Sequence, residues 1–254
     1  MSELFNRLKK KILGDNFKES VRDYAVTLIV GSQGFGKSAL MATLAAMFGN
    51  LNRVLILDVA GARGFKRYPT VTLEQFEADA ELPKGHPKKW TKGVRKIQVL
   101  LENQDDILKS VAENYKDGYL FIDELAQTHK RAGDMSGWGA KVFLQCRNNR
   151  LDVIVAVHKF KDVHSAYRGH IKCIHIFATP EIIETPQYFR DLGYEDDINE
   201  LFKLYKEAEA LTSQENSIGQ VFRTWYTKKF KAQLAAQKAF LKSHTHNPVL
   251  NGQQ

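Results

Sequence analysis

Two short stretches of the chain combine residue types that suit a polyphosphate. Gly31-Ser32-Gln33-Gly34-Phe35-Gly36-Lys37-Ser38 follows an apolar run and leads through Ala39 into a segment ending at Phe48. The spacing G-x-x-x-x-G-K-[ST] between a strand and a helix is that of a phosphate-binding P-loop. Its glycines let the backbone wrap closely enough for N–H groups and the helix N-terminus to face negative charge. Lys37 is placed to reach β- and γ-phosphates, and the Ser38 hydroxyl to ligate Mg²⁺. The second stretch, Tyr119-Leu-Phe-Ile122-Asp123-Glu124, ends an apolar strand in two carboxylates. Asp123 suits the metal shell, and Glu124 suits a general base that polarises water in line with the γ-phosphorus.

Those residues must be held by elements, and the order of apolar and helical segments says which. From Tyr24 onward, short β-branched runs alternate with helical stretches, the pattern of a mostly parallel sheet with crossover helices. Six strands are expected: Ala25 to Val30, Arg53 to Val59, Ile97 to Leu101, Tyr119 to Asp123, Asp152 to Val157 and Cys173 to Ala178. Helices are expected at Lys37 to Phe48, Asp105 to Tyr115, Trp138 to Arg147, Asp162 to Gly169, Asp196 to Leu211 and Lys228 to Lys242. A strand between the P-loop strand and the Asp123 strand completes this class of sheet. Asp152 to Val157 is the candidate, with His158 at its tip as a sensor of γ-phosphate or attacking water.

The chain has 254 residues, 43% of them hydrophobic and 26% charged, which excludes a wholly disordered or fibrous protein. Three segments are expected: an amphipathic basic arm (1–20), a P-loop core (21–190) and a helical basic extension and tail (191–254). The longest apolar run, Tyr24 to Val30 at most, is far short of the roughly 20 residues a spanning helix needs. Lys9, Lys10 and Lys11 are followed only by Ile12 and Leu13 before Gly14, so a secretory h-region is missing as well. Cys146 and Cys173 are the two cysteines, which points away from a disulfide framework.

The formal net charge is +8, which makes a polyanionic partner worth weighing. Arg63, Lys66 and Arg67 follow the second strand, and Lys130 and Arg131 follow the Glu124 turn, so both loops belong to the carboxyl end of the sheet. The stretch holding Lys84, Lys88, Lys89, Trp90, Lys92, Arg95 and Lys96 reads as a basic insertion in which Trp90 stacks on a sugar or an unpaired base. Two competing constellations fail. Val157-His-Lys159-Phe-Lys-Asp162 lacks the Asn and the spacing of a guanine-reading N-K-x-D. His170, Cys173 and His175 lack the second ligand pair of a zinc site.

Together with Arg147-Asn-Asn-Arg150-Leu-Asp-Val-Ile-Val-Ala-Val-His158, the two motifs make Tyr24 to Thr179 resemble the additional-strand P-loop ATPases of the FtsK and HerA superfamily. That superfamily includes genome-packaging ATPases of membrane-containing icosahedral viruses and Zot-like assembly ATPases of filamentous phages. His158 departs from the Gln or Asn usual at the sensor tip. The resemblance implies a RecA-like α/β fold, ATP with Mg²⁺ as fuel, and a homo-oligomeric ring that moves DNA by sequence-independent backbone contacts. It also implies arginine fingers reaching a neighbouring subunit, with Arg147, Arg150 and Arg168 as candidates. A viral packaging motor in host cytoplasm or virion is the first expectation, its N-terminal arm meeting a capsid vertex or a membrane protein. A Zot-like assembly ATPase and a non-translocating nucleotide-dependent scaffold are the alternatives.

Overall fold

The computed structural model describes residues 26–59, 61–100, 102–124, 137–146, 148–163, 165–194, 196–212, 222–228, 230–232 and 234–235. The N-terminal arm, Lys130, Arg131, Arg147 and the tail from His244 lie outside the described residues. In chain order, the first elements are β1 (Val26–Val30), α1 (Lys37–Gly49), β2 (Arg53–Asp58), α2 (Leu73–Glu81), β3 (Gly93–Gln98) and α3 (Gln104–Asn114). They are followed by β4 (Gly118–Asp123), α4 (Trp138–Gln145), β5 (Leu151–Val157), α5 (Ser165–Arg168) and β6 (Ile171–Ile176). The chain continues through α6 (Gln187–Asp191), α7 (Ile198–Thr212) and β7 (Arg223–Tyr226).

Seven strands form one sheet in the order β3-β2-β4-β5-β1-β6-β7. All neighbours run parallel except β7, which pairs antiparallel with β6. The extra strand expected between the P-loop strand and the Asp123 strand is there: β5 pairs with β1 from Val26↔Val153 to Val30↔Val157 and with β4 from Gly118↔Leu151 onward. The central strands are continuous apolar runs because helices cover both faces and leave no solvated side to alternate toward. On one face Leu40, Met41, Leu44 and Phe48 of α1 pack on Ile29, Ile56 and Phe121, with Phe48 stacked on Tyr119 at 4.2 Å between centroids. The other face takes α3 through Ile107, Leu108 and Val111, α4 through Val142 and Phe143, and α7 through Leu201, Tyr205 and Ala208.

Several expectations are corrected. The third strand lies at Gly93–Gln98, earlier than Ile97 to Leu101, and β7 is a seventh strand contributed by the C-terminal segment. That segment is therefore not helical throughout. The basic insertion is largely structural. It contains α2, whose capping box joins Thr72 Oγ1 to the Gln75 N–H and the Gln75 side chain to the Thr72 N–H. Lys89 donates to Asp79 O at 3.3 Å, Ala80 O at 3.1 Å and Leu82 O, closing the orphan carbonyls at the end of α2. Trp90 is 5% exposed. Its ring packs on Tyr115 with the Arg95 guanidinium 4.7 Å from its centroid, so it is a core residue and not a base-stacking platform.

Candidate functional site

The P-loop is hung between two strand ends. Gly31 N–H donates to Val157 O at 3.2 Å, and Ser32 N–H donates to Ala178 O at 2.7 Å. A Cβ at Gly31 would lie 2.4 Å from Phe177 Cβ, so only glycine lets the loop start this close to the segment after β6. Gly34 and Gly36 have φ of 85° and 94°, and a Cβ at Gly34 would meet nothing within 4 Å. Their requirement is therefore conformational, a left-handed backbone that costs other residues about 1 to 2 kcal/mol each. Gln33, Gly34 and Ala39 are exposed, and Phe35 tucks against the α1-side core. Gly36 caps α1 without a side-chain hydrogen bond, which leaves the first helical N–H groups for an anion.

Lys37 is 6% exposed and donates to Gly31 O at 2.6 Å and Ser32 O at 3.0 Å, with His158 Nδ1 at 3.3 Å. Burial pushes its pKa down from the ordinary value, while the Glu124 and Asp123 charges pull it back up. Ser38 Oγ donates to Asp123 Oδ2 at 3.5 Å, a long contact that leaves room for both oxygens to turn toward one cation. A hydroxyl and a buried carboxylate beside an open glycine cradle fit a Mg²⁺-bound triphosphate.

Asp123 is 1% exposed. Burial first, then repulsion by Glu124 and Asp58, pushes its carboxyl up to about 6 against the opposing pull of Lys37 and Ser38. Asp58 is a site neighbour that sequence reasoning missed. It sits opposite Asp123 in the β2–β4 register, accepts from Ala62 N–H at 3.0 Å and meets Lys96 Nζ at 3.1 Å. Because the folded-state value lies above that of the unfolded chain, the native state holds the proton more tightly. The stability this gives is fully present below the ordinary aspartate range and is lost as pH rises through about 6. Asp123→Asn should therefore stabilise the nucleotide-free protein at neutral pH by about 3 kcal/mol and by little below pH 4. Urea denaturation of parent and variant at the two pH values checks this; a gain that does not grow with pH overturns it.

Glu124 follows β4 with φ of 62°, a left-handed backbone that a non-glycine residue holds at a cost of about 1 to 3 kcal/mol. Its Oε1 lies 2.6 Å from His158 Nε2. The structure thus brings together Lys37, Ser38, Asp123, Glu124 and His158, from the ends of the adjacent strands β4 and β5 and the first turn of α1.

Two of the three candidate arginines are elsewhere. Arg150 and Asp117 pair on the surface before β5 and β4, at the amino end of the sheet, opposite the P-loop rim. Arg168 donates to Val163 O and stacks over Tyr194 at 5.5 Å, and Arg147 is outside the described residues. Arg67 donates to Ala42 O at 3.0 Å, which ties it to α1, whereas Arg63 and Lys66 are exposed on the P-loop rim. Lys84, Lys88 and Lys92 are exposed in the connection that leads into β3, again at the amino end.

No family model matches the sequence, and no curated relative matches it. Solved structures do. The chain is similar to the genome packaging NTPase B204 of Sulfolobus turreted icosahedral virus 2 in complex with ATP-gammaS, at 12% identity and TM-score 0.51 over 82% of this chain and 99% of that one. The AMPPCP complex of the same NTPase matches at 14% identity and TM-score 0.54, over 81% and 93%. The N-terminal domain of zonular occludens toxin from Neisseria meningitidis matches at 17% identity and TM-score 0.40, over 66% and 89%. Among the described residues no helix is long and apolar enough to cross a membrane. With a P-loop on β1, paired carboxylates on β4 and an added strand between them, the chain has the RecA-like P-loop fold.

Proposed function

We propose that the protein hydrolyses ATP and uses the turnover to move DNA, as a packaging motor of a virus. The observation that carries hydrolysis is the placement of Glu124 one residue beyond the buried metal carboxylate Asp123, with His158 joining Glu124 to the P-loop lysine. A kinase that transfers phosphate to a substrate hydroxyl has less use for a second carboxylate at this point than an enzyme that activates water. Bound Mg²⁺ would neutralise charge between the β- and γ-phosphates, and Ser38 and Asp123 are the residues that would hold it. Lys37 binds and orients the phosphates, the α1 N-terminus contributes backbone donors, and Glu124 takes a proton from the attacking water.

Movement along DNA is supported by charge and by likeness. The chain carries a formal +8, exposed Arg63 and Lys66 stand on the rim that holds the nucleotide, and the fold matches an NTPase described as packaging a genome. A homo-oligomeric ring around the duplex would let basic loops shift with turnover, reading phosphate spacing and no sequence. The testing experiment records ATP turnover with and without duplex and single-stranded DNA, together with mass in solution with bound nonhydrolysable nucleotide. Stimulation by DNA supports the motor; turnover indifferent to both forms favours a nucleotide-dependent scaffold.

DNA affinity should fall steeply with salt, because each neutralised phosphate releases counterions. Neutralising Arg63 and Lys66 should weaken binding across all sequences and lower the salt slope by about 2. Lys84 and Lys88 form the comparison pair at the amino end of the sheet. Lys89 is left intact because its loss would uncap α2. Fluorescence anisotropy at 50 to 200 mM salt checks this, and a salt-independent binding constant removes nucleic acid as the explanation of the charge.

A further inference from the structure

Glu181 is buried, 9% exposed, and the chemistry proposed for the P-loop end of the sheet does not use it. It lies on the stretch that follows β6, and its carboxylate collects donors from other elements. Oε2 accepts the Phe160 N–H at 2.7 Å and Oε1 the Lys161 N–H at 3.4 Å, which caps the 3-10 turn Phe160–Asp162 beyond the tip of β5. Oε1 also accepts the Tyr188 hydroxyl of α6. The backbone is held as well, because Glu181 O accepts the Tyr205 hydroxyl of α7 at 2.8 Å. Phe160 is fully buried, with its ring 4.9 Å from that of Phe189, so the carboxylate grips a fixed point of the core.

The same stretch carries the start of the P-loop. Ala178 O accepts the Ser32 N–H at 2.7 Å, and Phe177 lies so close to Gly31 that it leaves no room for a Cβ there. On the other flank of β1, Val157 O accepts the Gly31 N–H at 3.2 Å. Strands β5 and β6 are the neighbours of β1 in the sheet, and Glu181 fastens the chain beyond one to the chain beyond the other. The carbonyls of Gly31 and Ser32 are in turn acceptors that aim Lys37. We propose that Glu181 is a positioning residue for the phosphate cradle, a carboxylate strap across the ends of β5 and β6 that fixes the P-loop entry and, through it, the Lys37 ammonium. The inference rests on the reading of the P-loop as a phosphate site. Without the strap the Phe160 N–H loses its acceptor, and a buried orphan donor is relieved only by movement of the turn or entry of water. Either loosens Ala178, Ser32 and the aim of Lys37, an error of geometry that costs affinity although no contact to ligand has been removed.

A carboxylate that serves only the fold and one that positions the cradle differ in what binding reads. Loss of stability alone weakens binding only by the fraction unfolded, which urea denaturation measures. A misplaced cradle weakens binding in molecules that are fully folded. Dissociation constants of AMPPCP and of inorganic tripolyphosphate, each with Mg²⁺, would be measured by calorimetry for the parent, Glu181→Ala, Glu181→Leu and Glu181→Gln. Phe143→Leu, a core substitution on α4 beside Tyr167, is the control for stability.

Glu181→Ala and Glu181→Leu should weaken both ligands on the order of tenfold in folded protein. Tripolyphosphate has no nucleoside, so equal losses place the effect at the phosphates. Glu181→Gln should stay close to the parent, because its amide oxygen can take the Phe160 N–H and its NH2 can donate to the Tyr188 oxygen. Phe143→Leu should lower the urea midpoint and leave both constants unchanged. Constants unmoved by Glu181→Ala and Glu181→Leu, a loss confined to AMPPCP, a Glu181→Gln as weak as Glu181→Ala, or equal losses in Phe143→Leu overturn the strap. So does failure of both Glu181→Ala and Glu181→Leu to fold, which makes the carboxylate a requirement of the fold. A parent protein that binds neither ligand overturns the phosphate-site reading itself.

Discussion

Glu124→Gln should keep nucleotide binding and lose turnover by a factor of about 10² to 10⁴, the usual share of a positioned general base. The substitution preserves the size of the side chain and an oxygen that can accept the His158 N–H, so the strand tip keeps its shape. What it removes is the capacity to take a proton. Lys37→Ala should act on the other quantity. Its ammonium is buried and bonded to the carbonyls of Gly31 and Ser32, so its loss leaves two carbonyls of the loop without a donor and the phosphates without a cation. Binding of ATP should fall below detection at micromolar concentration, where charged hydrogen bonds of this kind contribute about 1.5 to 3 kcal/mol each. Calorimetric titration and steady-state turnover, run side by side, separate the two phenotypes. Native-rate hydrolysis by Glu124→Gln would remove the carboxylate from the base's role.

The strand, glycine loop and helix start were legible because their information is local. Glycines at fixed offsets, a lysine and a serine follow a strand so apolar that no other element competes, and β4 and β5 are equally unbroken runs. The edges of the sheet were not. In Gly93–Gln98 only Ile97 is buried and the rest are half-exposed, so β3 shows no apolar alternation. Helix α2 buries only Phe76 and Asp79, too little for a helical stripe to stand out among the charges. The Thr72–Gln75 capping box was the signal available there. Trp90 misled for a related reason: its basic neighbours are paired inside the fold, Arg95 with Asp79 and Lys96 with Asp58, and such pairing is a tertiary fact. The same holds for Asp58, whose closeness to Asp123 follows from strand order and from no spacing in the sequence, and for the His158–Glu124 contact, which bridges two strands.

A mixture of two inactive proteins should recover activity if the site is completed by a neighbour. In the proposed reaction Lys37, Ser38, Asp123, Glu124 and His158 supply cradle, metal ligands, base and sensor, and beside Lys37 they include no second fixed cation for the charge that develops on the γ-phosphoryl oxygens. Of the three arginine candidates, Arg168 is committed within its own subunit, donating to Val163 O and stacked on Tyr194. Arg150 is the better placed. Its side chain is 55% exposed and its partner Asp117 51%, and an exposed pair of this kind holds its members by no more than about 1 kcal/mol. Arg150 and Asp117 have φ of 54° and 56°, so both turns keep a backbone that other conformations would relieve, as positions retained for use often do. They also lie at the amino end of the sheet, where a finger serves an adjacent copy and not its own P-loop. Loss of a finger supplied in trans costs on the order of 10³ or more in turnover. Arg150→Ala, inactive alone, should regain partial turnover when mixed with Glu124→Gln, because some interfaces then join an intact base to an intact finger. Arg147→Ala and Arg168→Ala, mixed in the same way, identify the finger if Arg150 is not it. No rescue with any of the three, or full activity in a strictly monomeric preparation, would sink the shared site.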